Sequence, residues 1–351
     1  MRSAGLVDLQ VNGFAGVDFN SGAIGPGELD HALEAMLATG VTTCLPTIIT
    51  AHPDELVARF RQLDAAVRAS RLGPLMCPGY HLEGPFLSPI AGFSGCHPPE
   101  AMTAADPALI ARIEAGLSRP ILMVTLAPEI SGALALARAL SAAGRIVALG
   151  HTAAGFDEVA AAVAAGATLS THLGNGMPQT THKLVNPIFA QLAEDGLAAT
   201  FIADGIHIHP GALKVLMRAK GMERTILVTD AVAAAAAPPG RYRLGGTDIE
   251  RSADGTVRLA GSGLLAGSSL LLDQALRNVV GWGLATPGEA IAMASDRPRA
   301  AIGPALAARG IRLPASDVTW SDDLHVRSLR LDGIRRDYPR PGNDETEGET
   351  T

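Results

Sequence analysis

One rhythm constrains this chain more than anything else in it. Short runs rich in leucine and β-branched residues end in polar residues, and Ala-rich amphipathic stretches follow them. Eight such runs stand out: Leu6–Val11, Val41–Ile49, Met76–Leu82, Ile121–Leu126, Arg145–Leu149, Ala167–Thr171, Ala198–Ile202 and Thr225–Thr229. Helical spacing lies between them at Glu28–Ala38, Asp54–Ser70, Ala133–Ala142, Asp157–Ala165 and Gly211–Ala219, with Gly40, Gly144 and Gly166 where C-caps belong. Buried strands alternating with covering helices make parallel βα units, and eight of them predict a closed (β/α)8 TIM-type barrel. The competing fold is an open doubly wound sheet. That fold would place a Gly-rich phosphate turn after the first strand, and Asn12-Gly-Phe-Ala-Gly16 does not supply its spacing.

After the eighth run the texture changes. Tyr242–Leu265 alternates in short pieces around Gly245-Gly246 and Asp254-Gly255, as in an inserted β-ribbon. Ser268–Val280 and Pro287–Ala294 read as helices, and Asp317–Leu331 as paired edge strands. The expected organisation is a barrel over residues 1–300 with the ribbon at about 240–265, a small β appendage over 301–336, and a disordered tail over 337–351.

Composition narrows the partners. With 351 residues, 47% apolar and 18% charged, the chain can bury a large core. Its 28 basic and 35 acidic residues give a net charge of −7, which excludes the basic face of a nucleic-acid binder. Aromatics at 4% argue for a small polar substrate rather than a stacked polymer. Cys44, Cys77 and Cys96 are widely spaced and odd in number, so neither a disulfide framework nor a zinc knuckle is expected. With no visible signal peptide and no apolar run long enough to span a membrane, the expected setting is the cytoplasm.

In such a barrel the chemistry sits where the strands end and their loops converge. The first run delivers Gln10 and Asn12 there, and the third His81 and Glu83. The fifth and sixth deliver His151 and His172, the seventh Asp204 and His207, and the eighth Asp230. One carboxylate and two imidazoles, Glu83, His151 and His172, make a common catalytic metal set with a position left open. One divalent ion is expected, Zn2+ first, with Fe2+ or Mn2+ as alternatives. Asp230 on the last strand is the expected general base. His81 reads as a packed residue behind the site. The His207/His209 pair, next to Pro210, reads as a substrate contact at His207 rather than a two-histidine ligand. Cys96 and His97 fall in a Gly/Pro-rich loop of the kind that closes over substrates.

These motifs together resemble the N-acetylglucosamine-6-phosphate deacetylases of the amidohydrolase superfamily. The matching segments are Gly5–Gly13, His81–Phe86, Val124–Glu129, Gly150–Thr152, Thr171–Pro178, Ala203–His207, Leu227–Ala231 and Ala266–Ser269, in family order. The resemblance implies a barrel with a small β-sandwich and hydrolysis of N-acetylglucosamine-6-phosphate to glucosamine-6-phosphate and acetate. It puts Glu83, His151 and His172 on the metal, and makes Asp230 the catalytic carboxylate. His97 falls at the acetyl group, Asn175-Gly176 near the phosphate, and His207 with Leu265-Ala266-Gly267 among the other substrate contacts. Gln10 and Asn12 stand where many amidohydrolases carry a second pair of histidines, which implies a single metal. A homodimer in which a neighbour lends a phosphate contact is also implied.

Three departures are visible. Gly174-Asn175-Gly176 replaces a larger residue followed by Asn-Ala. The family's phosphate-gripping arginine has Lys183 as its nearest counterpart. The chain is expected to start at the first barrel strand, so that the β-sandwich is reduced or completed otherwise. Two other functions therefore stay open: a deacylase of another N-acyl sugar or N-acyl amino acid at the same site, and a metabolite sensor with a degenerate site.

Overall fold

The computed structural model describes residues 1–339. Eight parallel strands form its centre: β1 (Leu6–Val11), β2 (Val41–Ile49), β3 (Tyr80–Glu83), β4 (Ile121–Leu126), β5 (Ile146–Leu149), β6 (Ala167–Ser170), β7 (Ala198–Phe201) and β8 (Thr225–Leu227). They pair in sequence order, each with the next, and helices fill the connections, so the fold is the TIM barrel. All eight lie on the runs expected. The third begins later than its run, because Pro78-Gly79 ends a short helix, Gly73–Met76, before the strand can start.

The last seam, between β8 and β1, closes differently from the others. No ladder runs along it. Instead Val11 bridges Ala231, the Asp230 N–H donates to the Gln10 carbonyl at 3.0 Å, and the Asn12 N–H donates to Ala231 at 2.7 Å. Lower in the seam a side chain does the joining. The Asp8 carboxylate accepts from the Thr229 hydroxyl at 2.6 Å and from the Thr229 and Gln10 N–H groups at 3.2 and 3.3 Å. Asp8 is buried, and burial pushes its pKa up to about 7 against those hydrogen bonds.

Two small sheets flank the barrel. Strands Gly240–Leu244, Thr247–Arg251 and Val257–Leu259 form an antiparallel ribbon, with Leu244, Ile249 and Val257 packed on Ile49, Val232 and Ala266 near the mouth. The other sheet joins Ser316–Trp320, Val326–Leu331 and Ile334–Asp337 to a two-residue strand, Arg2–Ser3. The expectation that the chain starts at the first barrel strand is therefore corrected: Arg2 and Ser3 pair with Thr319 and Val318 before β1 begins. Asp337 closes the last strand, and the rest of the expected disordered tail, apart from Tyr338 and Pro339, lies outside the described residues. Among the described residues no helix is long and apolar enough to cross a membrane.

The Asp8 seam yields a prediction. Asp8→Asn keeps one oxygen for the two backbone N–H groups and turns its NH2 to the Thr229 hydroxyl. Between its ordinary value of 3.8 and about 7, wild-type Asp8 stays protonated in the folded chain and ionises in the unfolded chain. Its contribution to stability therefore falls as pH rises through that window. Urea midpoints should show Asp8→Asn gaining on wild type from pH 4 to 7; a difference that does not vary with pH would refute this account.

Candidate active site

Glu83 is the centre of the mouth. It ends β3, its side chain is buried, and its Oε1 faces three nitrogens: His172 Nε2 at 2.9 Å, Gln10 Nε2 at 3.0 Å and His151 Nε2 at 3.5 Å. Its Oε2 lies 3.9 Å from His97 Nε2. Burial raises the carboxyl, but the neighbouring His151 and His172 imidazoles outweigh burial and hold its pKa well below the usual range. His172 answers in the opposite sense: burial lowers its pKa, and the Glu83 carboxylate more than offsets that.

The tautomer of His151 is set by its neighbours. Its Nδ1 donates to the Phe93 carbonyl at 2.9 Å, so the Nε2 lone pair is the one turned toward Glu83. A lone pair and a carboxylate oxygen facing each other call for a positive charge between them, either a proton or a metal ion. Ligand atoms of Glu83, His97 and His151 lie within 4.8 Å of one another, and His172 Nδ1 is buried without a partner among the described residues. Two or three neutral imidazoles around one buried carboxylate fit a divalent ion. That trio of Glu83, His97 and His151 contains His97 where the sequence reading has His172, whose Nε2 lies 2.9 Å from the same Glu83 carboxylate.

Asp230 stands opposite. Asn12 Nδ2 donates to its Oδ1 at 2.7 Å and Gln10 Nε2 donates to the same oxygen at 3.1 Å. Burial first, and the Glu83 charge second, push its pKa up to about 6. His97 is buried, its Nδ1 lies 2.9 Å from the Thr50 hydroxyl, and burial with the neighbouring His151 drives its pKa down to about 3. The Thr50 proton has a second acceptor, the Glu83 carbonyl at 3.3 Å. Donation to His97 leaves Nε2–H as a donor, whereas donation to the carbonyl leaves Nε2 as a ligand lone pair.

His151, His172 and Asp230 share a backbone feature. They are three of only seven non-glycine residues at positive φ among the described residues, at 50°, 29° and 51°. Each follows a barrel strand, and strain of this kind gathers where a site needs its side chains re-aimed. The His151 ring lies between two glycines. A Cβ on Gly176 would come within 2.5 Å of its Nδ1, and one on Gly95 within 2.9 Å of its Cε1. Here Gly176, which departs from the family pattern, has a local cause.

The cavity of about 200 Å³ is lined by Glu83, Cys96, His97, His151, His172, Asn175, Gly176, His207, Asp230, Leu265 and Gly267. Three other candidates lie outside it. Asp204 sits behind His207, its Oδ2 2.6 Å from His207 Nδ1; Ala266 is buried beneath the ribbon; Lys183 is exposed. His209 caps the helix Pro210–Lys220 and is exposed. His81 bonds Thr125 and Thr47 in the barrel interior. The sequence reading missed Gly95, Met177, Gln179, Leu244 and Leu264 as lining groups, none of which carries a chemical signature.

The amidohydrolase family model matches residues 2–304. The chain belongs to the amidohydrolase family. It is 37% identical over 330 residues, 93% of its length and 85% of the relative's, to the N-acetylgalactosamine-6-phosphate deacetylase of Escherichia coli O157:H7. It is 34% identical over 278 residues to the N-acetylglucosamine-6-phosphate deacetylase of Bacillus subtilis, covering 78% of this chain and 68% of that one. Among solved structures, a mutant Mycobacterium smegmatis N-acetyl-D-glucosamine-6-phosphate deacetylase in complex with N-acetyl-D-glucosamine-6-phosphate superposes with a TM-score of 0.83 at 32% identity. That match covers 95% of this chain and 86% of the other.

For this amidohydrolase site the donor set predicts one tightly held divalent ion per chain. Glu83→Ala should weaken metal binding at least tenfold in a chelator competition; undiminished affinity would refute Glu83 as a ligand.

Proposed function

We propose that this protein is a metal-dependent deacetylase that hydrolyses N-acetylglucosamine-6-phosphate to glucosamine-6-phosphate and acetate in amino-sugar catabolism. The observation that carries this reading is the opposition of Glu83, with its histidines, and Asp230 across one small cavity in an amidohydrolase barrel. A second reading has specific support: the relative at 37% identity acts, by its name, on N-acetylgalactosamine-6-phosphate, which differs in the configuration of one hydroxyl.

Glu83, His151 and His172 are the ligands in this reading, with Zn2+ as the metal and Fe2+ or Mn2+ as alternatives. When bound, the ion supplies Lewis acidity, making water a better nucleophile and a carbonyl a better electrophile. The protein's own groups do the rest. Both amide donors fall on Asp230 Oδ1, so Oδ2 remains to take a proton from the attacking water. A carboxyl raised to about 6 suits both that step and return of the proton to the departing amine. Neutral His97, its Nδ1 accepting from Thr50, donates Nε2–H to the acetyl oxygen as negative charge gathers there. Asn175, Gly176 and His207 line the same cavity and serve the rest of the sugar phosphate, with Cys96, Leu265 and Gly267. Asp204 acts through its bond to His207, Ala266 from beneath the ribbon, and the exposed Lys183 is the candidate cation for the phosphate.

Leu184, Val185, Phe189 and Val215 are exposed apolar side chains in the segments after β6 and β7, which supports a homodimer. Three free cysteines support a reducing cytoplasm.

Acetate release from N-acetylglucosamine-6-phosphate, its galacto epimer and unphosphorylated N-acetylglucosamine tests the reading. The phosphorylated sugars should turn over with much the higher kcat/KM; preference for the unphosphorylated sugar or for N-acyl amino acids would overturn it. Asp230→Asn should keep its metal and lose at least about a hundredfold in kcat; unchanged turnover would refute its role.

A further inference from the structure

We propose that Glu129 is a positioning residue that clamps the backbone turn carrying His151 and so sets the affinity of the metal site. The inference rests on the reading of His151 as a ligand.

Glu129 closes the Val124–Glu129 segment, just past the end of β4, and no step of the chemistry above uses it. Its carboxylate is half-buried and spans two donors on the neighbouring loop. The Thr152 hydroxyl donates to Oε2 at 2.5 Å, and the Ala153 N–H donates to Oε1 at 2.6 Å. These residues directly follow His151. Among the described residues no ion pair falls on Glu129, so the two loop donors are what its carboxylate serves.

A clamp is needed there. His151 sits at φ 50°, a strained conformation for a side-chain-bearing residue that relaxes unless its surroundings fix it. On one side the Ser88 N–H holds the His151 carbonyl at 2.9 Å and the Phe93 carbonyl holds the ring. On the other side Glu129 holds the next two residues. Gly95 and Gly176 pass beside the ring without side chains to wedge it, so an altered backbone turn carries the ring off its line to Glu83.

The clamp needs geometry rather than charge, and this separates it from an electrostatic role. In Glu129→Gln the amide oxygen accepts the Ala153 N–H, and the amide NH2 donates to the Thr152 oxygen, whose hydroxyl proton is free to rotate. Glu129→Ala loses both contacts.

The experiment compares Zn2+ dissociation constants by chelator competition and visible spectra of the Co2+-loaded proteins for wild type, Glu129→Ala, Glu129→Gln and His151→Ala. Glu129→Ala should bind metal about ten- to a hundredfold more weakly, with an altered Co2+ spectrum. Its kcat should fall while KM stays near wild type. Glu129→Gln should restore affinity and spectrum. A wild-type affinity in Glu129→Ala, or Glu129→Gln as weak as Glu129→Ala, overturns the clamp while leaving the ligand reading intact if His151→Ala has lost its metal. Metal retained in His151→Ala overturns the ligand reading and the clamp with it. Should Glu129→Ala not fold, Thr152→Ala removes the Oε2 contact, together with the acceptor of the Ala154 N–H, and must still weaken Zn2+ binding; unchanged binding there also overturns the proposal.

Discussion

A carboxylate buried at the mouth of a barrel, facing nitrogens from three strands, is the constraint on which the rest of this molecule turns. Removing Glu83 from water is costly unless its oxygens are matched by donors or by a cation. Its partners are supplied by Gln10 at the end of β1, His151 after β5 and His172 after β6, so they meet only when the sheet has curled shut. The seam that shuts it is the one joined by an isolated bridge rather than a strand ladder. There Asp8 joins β1 to Thr229 from below, and Gln10 and Asn12 join β1 to Asp230 from above. Barrel closure and site assembly are thus one event, and Gln10, which donates to both Glu83 and Asp230, belongs to each.

The site is also where the backbone departs from its comfortable conformations. His151, His172 and Asp230 each take a left-handed turn immediately beyond a strand. A regular strand end would continue the in-and-out alternation and leave these side chains on fixed faces. The turn re-aims them toward a common point, at a cost of roughly 1–3 kcal/mol each. The bonds around them resist relaxation: the His172 N–H donates to the Thr200 hydroxyl at 2.7 Å, and the Ser268 N–H donates to the Asp230 carbonyl at 2.9 Å.

The barrel was largely legible because its signal is repeated. Nearly every strand is an apolar run buried along its length, with Thr168 the one exposed position, and the period recurs eight times. What escaped lay where local chemistry is ambiguous. The helix Asp296–Ala308 contains Pro298 and Pro304, which read as breakers until the first is seen near the start of the helix and the second in its interior. Arg2–Ser3 is too short to carry a pattern and exists as a strand only because Val318 and Thr319 lie beside it. At the site, Glu83, His151, His172 and Asp230 could be named because strand ends in a barrel converge. Chain order cannot reveal that His97 comes nearest to completing a trio with Glu83 and His151, or that Asp204 sits behind His207, because both follow from how loops fold over the mouth. Gly176 read as a departure from pattern, and its physical reason is an imidazole pressed against it.

The two buried carboxylates show how one small cavity separates roles that the side chains alone do not distinguish. Glu83 and Asp230 share the donor Gln10 and repel each other, yet their pKa values are driven apart. Glu83 has imidazoles on its near side and remains an anion, as a ligand must. Asp230 is raised toward neutrality by burial first and the Glu83 charge second, against the pull of its Asn12 amide donor, as a proton carrier must be. Exchange of Gln10 and Asn12 for histidines would remove those amide donors from Asp230 and offer ligand nitrogens in their place. The amides at these two positions therefore do more than leave a second metal out. They hold Asp230 by one oxygen and leave the other to work.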